Sequence, residues 1–339
     1  MCEDRKKEYD VIALGELLID FTENEISNQG NPMFEANPGG APCNVLAMLQ
    51  KMGNKTAFIG KVGDDFFGEQ LKKAIEEVGI DSACLVKDKE VHTTLALVHT
   101  CPDGDRDFSF YRDPGADMML TEAEVPENMF RKTRMFHFGS LSMTHDLVRK
   151  ATLKALKLAK ENDVLISFDP NLREPLWPSL EEARCQIMEG LKYCDILKIS
   201  DNEIRWLTGK EDYSDGVLWI RERFPDIRLI LVSMGRDGSR AYYQERMVEV
   251  PAYINTGTIE TTGAGDTFYG CVLHTICERG LEELTDNDIR KMLQFANAAA
   301  SLITARKGAL RVMPEKEEIE AFCREGVLHK AFSSINIVF

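Results

Sequence analysis

The fold is decided by one short stretch, Glu260-Thr261-Thr262-Gly263-Ala264-Gly265-Asp266-Thr267-Phe268. Two glycines around one small residue leave the backbone N–H groups unshielded, so a ligand can approach the main chain closely. Phe268, Val272 and Ile276 then recur at helical spacing, which predicts a helix over 267–279 with Asp266 in the first turn. The pattern indicates an anion-binding turn with a carboxylate beside it.

The position of Asp266 suggests a reaction. A carboxylate beside a bound anion is electrostatically unfavourable unless it accepts a proton, so the pattern favours phosphoryl transfer to an acceptor that Asp266 activates. A structural alternative stays open, because Asp266-Thr267 after a glycine turn also describes an ordinary helix cap.

Composition narrows the class of partner. The chain has 339 residues, with 41 basic and 56 acidic side chains and a net charge of −15. Nucleic acid is therefore not expected as a partner, since no basic surface is available to displace counterions. A phosphate site in such a chain must rely on local N–H groups, an Arg or Lys, and a divalent cation.

Cysteine usage and hydropathy indicate the compartment. The nine cysteines are scattered without a C-x-x-C pair, which suits reduced thiols and argues against a zinc site. The charged N-terminus is not followed by an apolar run long enough for a signal peptide, and no stretch has the length of a membrane span. We expect a soluble cytoplasmic protein without a membrane partner.

Strand and helix patterns alternate outward from the glycine turn. Strands are predicted at 11–14, 56–60, 135–139, 164–169, 196–200, 229–233 and 247–254, and helices at 66–78, 145–161, 179–193, 201–208, 214–224, 287–305 and 315–325. This rhythm predicts a parallel sheet covered on both faces, with ligands beyond the carboxyl ends of the strands. The chain lacks the glycine motifs of a Rossmann dehydrogenase and of a P-loop kinase.

A second glycine turn precedes Asn44. Gly39 and Gly40 lead into a helical pattern that stops at Gly53, so the backbone and the Asn44 amide can face a polar ligand. The alternative is a tight loop with Asn44 as its cap. Residues 22–38 are polar and predict an excursion from the core, whereas 91–112 alternate as a hairpin around a turn at 102–105. Together these segments could build a small sheet that serves as a lid.

The two glycine turns carry a resemblance. Residues 260–270 resemble the C-terminal signature of the ribokinase family, also called the pfkB carbohydrate kinases, and residues 39–44 with Gly53, Gly60 and Gly63 resemble the N-terminal one. The occurrence of both signatures in one chain is more specific for the family than either glycine turn alone. Within the family the chain is most similar to fructokinases, through residues 15–20, 39–42, 168–173, 175–177, 198–200 and Glu203.

The resemblance implies a fold and an activity. The implied fold is ribokinase-like, a three-layer α/β/α core with a mostly parallel sheet and a small β-sheet lid. The implied core comprises 1–19, 39–90 and 115–339, and the implied lid 20–38 and 91–114. The implied protein is an ATP-dependent sugar kinase that forms a homodimer through the lid.

The resemblance also implies site residues. Asp266 would be the catalytic base, and the N–H groups of Gly263, Ala264 and Gly265 would stabilise the transferred phosphoryl group. The implied sugar ligands are Asp20, Gly39, Gly40, Asn44, Arg112, Asn171 and Arg173. The implied ATP-site residues are Lys198, Ser233, Gly235, Gly238, Asn297 and Gly308. Arg112, Asn171 and Arg173 could instead make surface or structural hydrogen bonds, and Lys198 could form a salt bridge.

Metal sites follow from the same resemblance. Glu203 would orient hydrated Mg²⁺ that accompanies ATP, because Mg²⁺ retains water and takes few direct protein ligands. Ser200 stands where the family often has Asn. Glu260 stands where the family usually has Asp. The backbone carbonyls of Glu260 and Thr262 correspond to a K⁺ site of the family, and the change from Asp to Glu leaves K⁺ binding by this chain undecided.

The leading function is transfer of the γ-phosphate of ATP to the 6-hydroxyl of fructose. A kinase of the same fold for 2-keto-3-deoxygluconate, ribose or a nucleoside is the alternative acceptor class. A sugar-binding regulator without catalysis is an alternative of another kind, although such a protein needs no base beside its anion site.

Overall fold

The computed structural model describes residues 7–100 and 106–333, so the predicted turn at 102–105 lies outside the described residues. The strands are β1 (Tyr9–Leu14), β2 (Leu18–Ile26), β3 (Pro32–Gly39), β4 (Thr56–Gly63), β5 (Asp81–Asp88), β6 (Leu95–Thr100), β7 (Arg106–Tyr111), β8 (Thr133–Gly139), β9 (Leu165–Asp169), β10 (Ile196–Ser200), β11 (Leu229–Ser233), β12 (Ser239–Tyr243) and β13 (Arg246–Val250). The α-helices are α1 (Ala41–Lys51), α2 (Phe66–Glu77), α3 (Glu127–Phe130), α4 (Asp146–Glu161), α5 (Leu180–Leu191), α6 (Asp201–Thr208), α7 (Tyr213–Arg223), α8 (Ala264–Arg279), α9 (Asp286–Ile303) and α10 (Lys316–Ser333).

A nine-stranded sheet within the described residues forms the middle layer, in the order β13-β12-β11-β10-β9-β8-β1-β4-β5. Its pairs are parallel from β5 to β11, and β12 and β13 add an antiparallel edge. Alternate strand residues face opposite sides: Val11 and Ala13 belong to one apolar core, and Ile12 and Leu14 to the other. The prediction of a mostly parallel sheet between two helical layers is confirmed.

The helices divide between these two cores. Helices α1, α2, α8 and α9 contribute to the first core, and α4, α5, α6 and α7 contribute to the second. Helices cover both faces of the sheet, so a central parallel strand has no solvated face. This explains why these strands are rich in buried aliphatic residues. The arrangement brings the N-termini of α1 and α8 to the carboxyl ends of the parallel strands, where the two glycine turns lie.

Four further strands form a second sheet in the order β3-β2-β6-β7, which we call the small sheet. Strands β2 and β6 are parallel, and the outer pairs are antiparallel. The prediction that 22–38 leaves the core and builds a small sheet with the 91–112 hairpin is confirmed, and residues 22–38 lie in the hairpin of β2 and β3. Polar residues dominate there since much of the hairpin faces solvent.

Some sequence boundaries also needed correction. Strands β5 and β12 were not predicted: β5 is half-buried at a sheet edge, and β12 lies beside the edge strand β13. The segment predicted at 247–254 ends as a strand at Val250, because Pro251 cannot continue the backbone hydrogen bonding. Helix α10 extends well beyond the predicted residue 325. No helix within the described ranges has the length and apolar character of a membrane span.

Candidate active site

The turn at 263–265 has the geometry that its glycines predict. Gly263 caps α8 with φ of 74°, a left-handed conformation, and a Cβ there would lie 2.6 Å from Ala309 Cβ. A Cβ on Gly265 would lie 3.1 Å from Lys198 Nζ, so the ammonium group stands directly against the turn. Asp266 occupies the first turn of α8, as predicted. The free N–H groups of the helix and one lysine therefore converge on the same point.

Asn44 joins the second glycine turn to Asp266. The Asn44 amide, on α1, donates a hydrogen bond of 2.8 Å from Nδ2 to Oδ2 of Asp266. Burial raises the pKa of Asp266, against the opposing effects of the Asn44 hydrogen bond and the positive charge of Lys198. The carboxylate is thus oriented by one neutral donor and becomes a stronger proton acceptor than an exposed aspartate.

Asp20 lies on the small sheet and faces the same place. It is half-buried at the start of β2, and a Cβ on Gly39 would lie 2.4 Å from Asp20 Oδ2. Burial raises the pKa of Asp20 to about 7, opposed by Arg173 and reinforced by the charges of Glu260 and Asp266. Gly40 caps α1 at φ of 126°, with Glu16 O only 2.4 Å from where a Cβ would stand. The small sheet and the Gly39–Gly40 turn therefore meet beside Asp266.

A second group of charges lies at the carboxyl ends of β9 and β10. Lys198 Nζ donates to Asp169 Oδ2 at 2.8 Å, and both side chains are buried. Burial raises the pKa of Asp169 to about 7, although the Lys198 charge acts in the opposite direction. Burial would lower the pKa of Lys198, but the charges of Asp169 and Glu203 outweigh it and raise that pKa. The predicted salt bridge of Lys198 is present, and its ammonium also faces Gly265.

Glu203 is held by the main chain. Its Oε1 accepts from the N–H of Leu172 at 2.7 Å, and its Oε2 accepts from the N–H of Ser200 at 2.7 Å. The Ser200 hydroxyl in turn accepts from the Glu203 N–H at 3.3 Å, which completes a capping box at the start of α6. Ser200 therefore has a local role in fixing Glu203.

Of the residues predicted for the nucleotide, Ser233 ends β11 beside Ser200 of β10, and Gly235 and Gly238 follow it in the chain. Gly235 is exposed with φ of 51°, and a Cβ on Gly238 would lie 2.2 Å from Val250 O. Ser233 pairs with Ser239 across β11 and β12. Gly308 donates its N–H to Glu260 Oε1 at 2.8 Å, so Glu260 connects the loop before α8 with the loop after α9.

Two predicted ligand residues have side chains that are engaged elsewhere. Every nitrogen of the Arg112 guanidinium has a protein partner among Asp117, Thr144 and Leu141. Asn297 accepts from Ser239 at 2.9 Å and donates to Val250 O at 3.1 Å. Their direct contact with ligands stays a prediction, whereas the structural alternative for Arg112 is realised.

Asn171 and Arg173 are the two remaining predicted sugar ligands. Asn171 is half-buried with φ of 43°, and Arg173 is exposed with its charge acting on Asp20 and Asp266. The sequence placed Asp169 at the carboxyl end of a strand, where ligands are expected, without giving it a role, and it did not assign Glu16 to the site. Glu16 is buried, and its Oε1 accepts from the Ala41 N–H at 2.8 Å, which fixes the Gly39–Gly40 turn. The available signal was a carboxylate at the end of an apolar strand.

Known proteins with this arrangement are numerous. Residues 9–316 match the model of the pfkB family of carbohydrate kinases. The chain belongs to this family. It is 40% identical over 319 residues to a probable fructokinase-2 of Arabidopsis thaliana, which covers 93% of this chain and 95% of the relative. The chain is therefore an ATP-dependent sugar kinase, as the two glycine signatures predict.

Solved structures agree with the fold of this pfkB kinase. The crystal structure of fructokinase with bound ATP from Xylella fastidiosa aligns with TM-score 0.85 and 28% identity, covering 94% of this chain and 99% of that chain. A fructokinase double mutant from Vibrio cholerae, in a form with bound fructose, ADP and potassium ion, aligns with TM-score 0.83 and 27% identity, covering 94% and 100%. The ribokinase-like fold predicted from the signatures is confirmed.

Proposed function

We propose that this pfkB kinase is a fructokinase that transfers the γ-phosphate of ATP to the 6-hydroxyl of fructose. The observation that carries the proposal is the hydrogen bond between Asn44 and Asp266, because it joins the predicted acceptor turn to the predicted phosphoryl turn. The similarity to fructokinases supports a ketohexose as the acceptor.

Asp266 takes the proton of the acceptor hydroxyl as that oxygen attacks the γ-phosphorus of ATP, and the bond from this phosphorus to the β–γ bridging oxygen breaks so that ADP leaves. Asn44 keeps one carboxylate oxygen occupied, so the other is available to the hydroxyl. The N–H groups of Gly263, Ala264 and Gly265 stabilise negative charge on the transferred group, and Lys198 adds a positive charge on the side where its ammonium approaches Gly265. Asp20, Gly39 and Gly40 hold sugar hydroxyls on the opposite side.

The charges at β9 and β10 fit a nucleotide that arrives with Mg²⁺. The negative charges of Asp169, Glu203 and Asp266 all act on the Lys198 ammonium, and Asp169 Oδ1 accepts no hydrogen bond from the described residues. No cluster of three or more acidic, His or Cys side chains in the described part of the chain forms a complete metal cage. A hydrated Mg²⁺ shared with phosphates needs no such cage, and Glu203 would hold its water. The bound ion would offset phosphate charge.

A K⁺ site at Glu260 and Thr262 is part of the proposal. Glu260 is buried and accepts the Gly308 N–H, so its side chain fixes the loop and leaves cation binding to backbone carbonyls. The potassium ion reported for the Vibrio cholerae enzyme supports such a site. K⁺ would act by ordering the loop that precedes the glycine turn.

A homodimer through the small sheet is the proposed assembly. Ile26, Met33 and Tyr111 on this sheet are 62%, 49% and 64% exposed, and covering such apolar area favours association. Sedimentation of the purified protein tests this assembly: we expect a dimer, and a monomer at micromolar concentration would exclude it.

An acceptor screen tests the function itself. Purified protein is assayed with ATP, Mg²⁺ and individual sugars by coupled detection of ADP, with fructose, ribose, 2-keto-3-deoxygluconate and a nucleoside as acceptors. We expect the highest kcat/KM with fructose and fructose 6-phosphate as its product. Faster turnover of the acidic sugar would replace fructose as the substrate. Binding of sugar and ATP without any ADP would support the regulator instead.

A further inference from the structure

A buried ion pair lies at the base of the small sheet, where β6 and β7 leave the core. Arg112 follows β7, and its Nε and Nη2 lie 2.9 and 2.7 Å from Asp117 Oδ2. The two side chains are only 2% and 3% exposed. Leu95 at the start of β6 pairs with Tyr111 at the end of β7, so both strands reach this base side by side.

The ion pair connects the small sheet with the large one. Arg112 Nη1 donates to Thr144 Oγ1 at 2.9 Å, and Nη2 donates to Leu141 O at 3.1 Å, both in the segment that follows β8. On the other side, Asp117 Oδ1 accepts from the Thr94 hydroxyl, directly before β6. One buried pair therefore holds together both ends of the β6–β7 hairpin and the edge of the core.

The contacts continue from this pair to Asp20. Thr94 O accepts from the Ile19 N–H at 3.2 Å, and Ile19 is fully buried on β2. Asp20 is the next residue, so its placement depends on the Ile19 backbone. We propose that Asp117 is a positioning residue, which acts with Arg112 and Thr94 to hold Asp20 at the sugar site. This inference rests on the proposed function, because it takes Asp20 as a sugar ligand.

A purely structural role for the pair makes a different prediction. Removal of one partner from a buried ion pair leaves an uncompensated charge and destabilises the fold, whereas replacement of both by apolar residues is often neutral. The double variant Arg112→Met/Asp117→Leu should therefore regain the stability that Asp117→Asn loses. It cannot restore the hydrogen bonds to Thr94, Thr144 and Leu141. Stability and sugar affinity should then change separately.

The experiment measures KM for fructose, KM for ATP, kcat and urea unfolding in both variants. We expect the fructose KM to rise about tenfold in both, the equivalent of one hydrogen bond, while the ATP KM remains unchanged. The double variant should unfold near the wild-type urea concentration. If its fructose KM also returns to the wild-type value, or if Asp117→Asn loses stability without a change in fructose KM, the pair serves only the fold and the proposal is wrong.

Two further variants separate this inference from the proposed function. Asp195→Asn is the matched control, because Asp195 Oδ2 accepts from the Ile166 N–H at 2.8 Å near the opposite ends of the strands. It should lower stability without changing the fructose KM. Asp20→Asn tests the sugar site directly. An unchanged fructose KM in Asp20→Asn would reject that site together with this inference, whereas a raised KM there and an unchanged KM in the Asp117 variants would reject the inference alone.

Discussion

Replacement of Asp266 by Asn tests the assignment of the base. A positioned general base contributes about 10²- to 10⁴-fold to a rate, so Asp266→Asn should raise the barrier by roughly 3–6 kcal/mol. The amide oxygen of the new side chain can still accept from Asn44 Nδ2, so the 2.8 Å contact between the two turns can persist. We expect kcat to fall by at least two orders of magnitude, by the lower end of that estimate, while ATP binding is retained.

The same substitution should not destabilise the protein at pH 8. Burial raises the pKa of Asp266, so folding with the charged carboxylate costs free energy once the pH exceeds the unfolded pKa. A neutral amide removes this cost. The loss of a favourable charge in the first turn of α8, about 0.3–1 kcal/mol, opposes it. The free energy of unfolding should therefore stay equal to the wild-type value or increase.

The assay compares steady-state ADP release, calorimetric ATP binding and urea unfolding in Asp266→Asn and in Asp288→Asn. Asp288 also lies in the first turn of a helix, α9, where it accepts from Thr285 in a capping box outside the site. Its substitution should lower the free energy of unfolding slightly, because the capping box is weakened, and leave kcat unchanged. A kcat for Asp266→Asn within threefold of wild type, well below the expected loss, would refute Asp266 as the base.

Two other predictions use the same assays. Gly265→Ala places a methyl group 3.1 Å from Lys198 Nζ, so we expect the ammonium group to be displaced. The value of kcat should fall about tenfold or more, with little change in the free energy of unfolding. An unchanged kcat would show that Lys198 does not act on the transferred phosphoryl group. Asp169→Asn should flatten the pH dependence of the free energy of unfolding. Burial raises the pKa of Asp169 to about 7, so the protonated carboxyl group favours the folded state. This contribution is present in full below the unfolded pKa and is lost as the pH rises towards 7. Urea unfolding of the ligand-free protein between pH 4 and 8 should show this loss, with a slope of at most about 1.4 kcal/mol per pH unit from this one proton, and an unchanged slope in the variant would contradict it.

Local patterns in the sequence were sufficient for most of the fold. The helix after Gly265 and the strands at 196–200 and 229–233 follow from spacing within one element, and the structure confirms them. The segment at 22–38 was predicted to contribute to a small sheet, but its two strands β2 and β3 were not predicted separately, because strands with a solvated face carry little apolar periodicity. The edge strand β5 was not predicted either, because it is only half-buried and has charged residues at both ends, which leaves little apolar periodicity.

The sequence indicated which residues belong to the candidate site, but it indicated few of the contacts between them. Glycine spacing and the following carboxylate indicated the turn and the place of Asp266 in the first turn of α8, because both depend on neighbours in sequence. The engagement of Arg112 with Asp117 depends on where β7 returns to the core, and no local pattern encodes that position. The role of Asp169 likewise arises from Lys198 on the adjacent strand, which only the order of the parallel sheet brings within 2.8 Å.

The contact between Asn44 and Asp266 explains why the two signatures are informative only together. These residues are 222 positions apart, and each alone reads equally well as a helix cap. The order of the sheet places the N-termini of α1 and α8 side by side, and the α1 amide then donates to the α8 carboxylate. A cap needs no such partner, since its hydrogen bonds are made within its own first turn. Burial of the charged Asp266 carboxylate, which raises its pKa, costs folding free energy that a structural cap would not need to spend. Such a cost is expected where the carboxylate must accept a proton during a reaction.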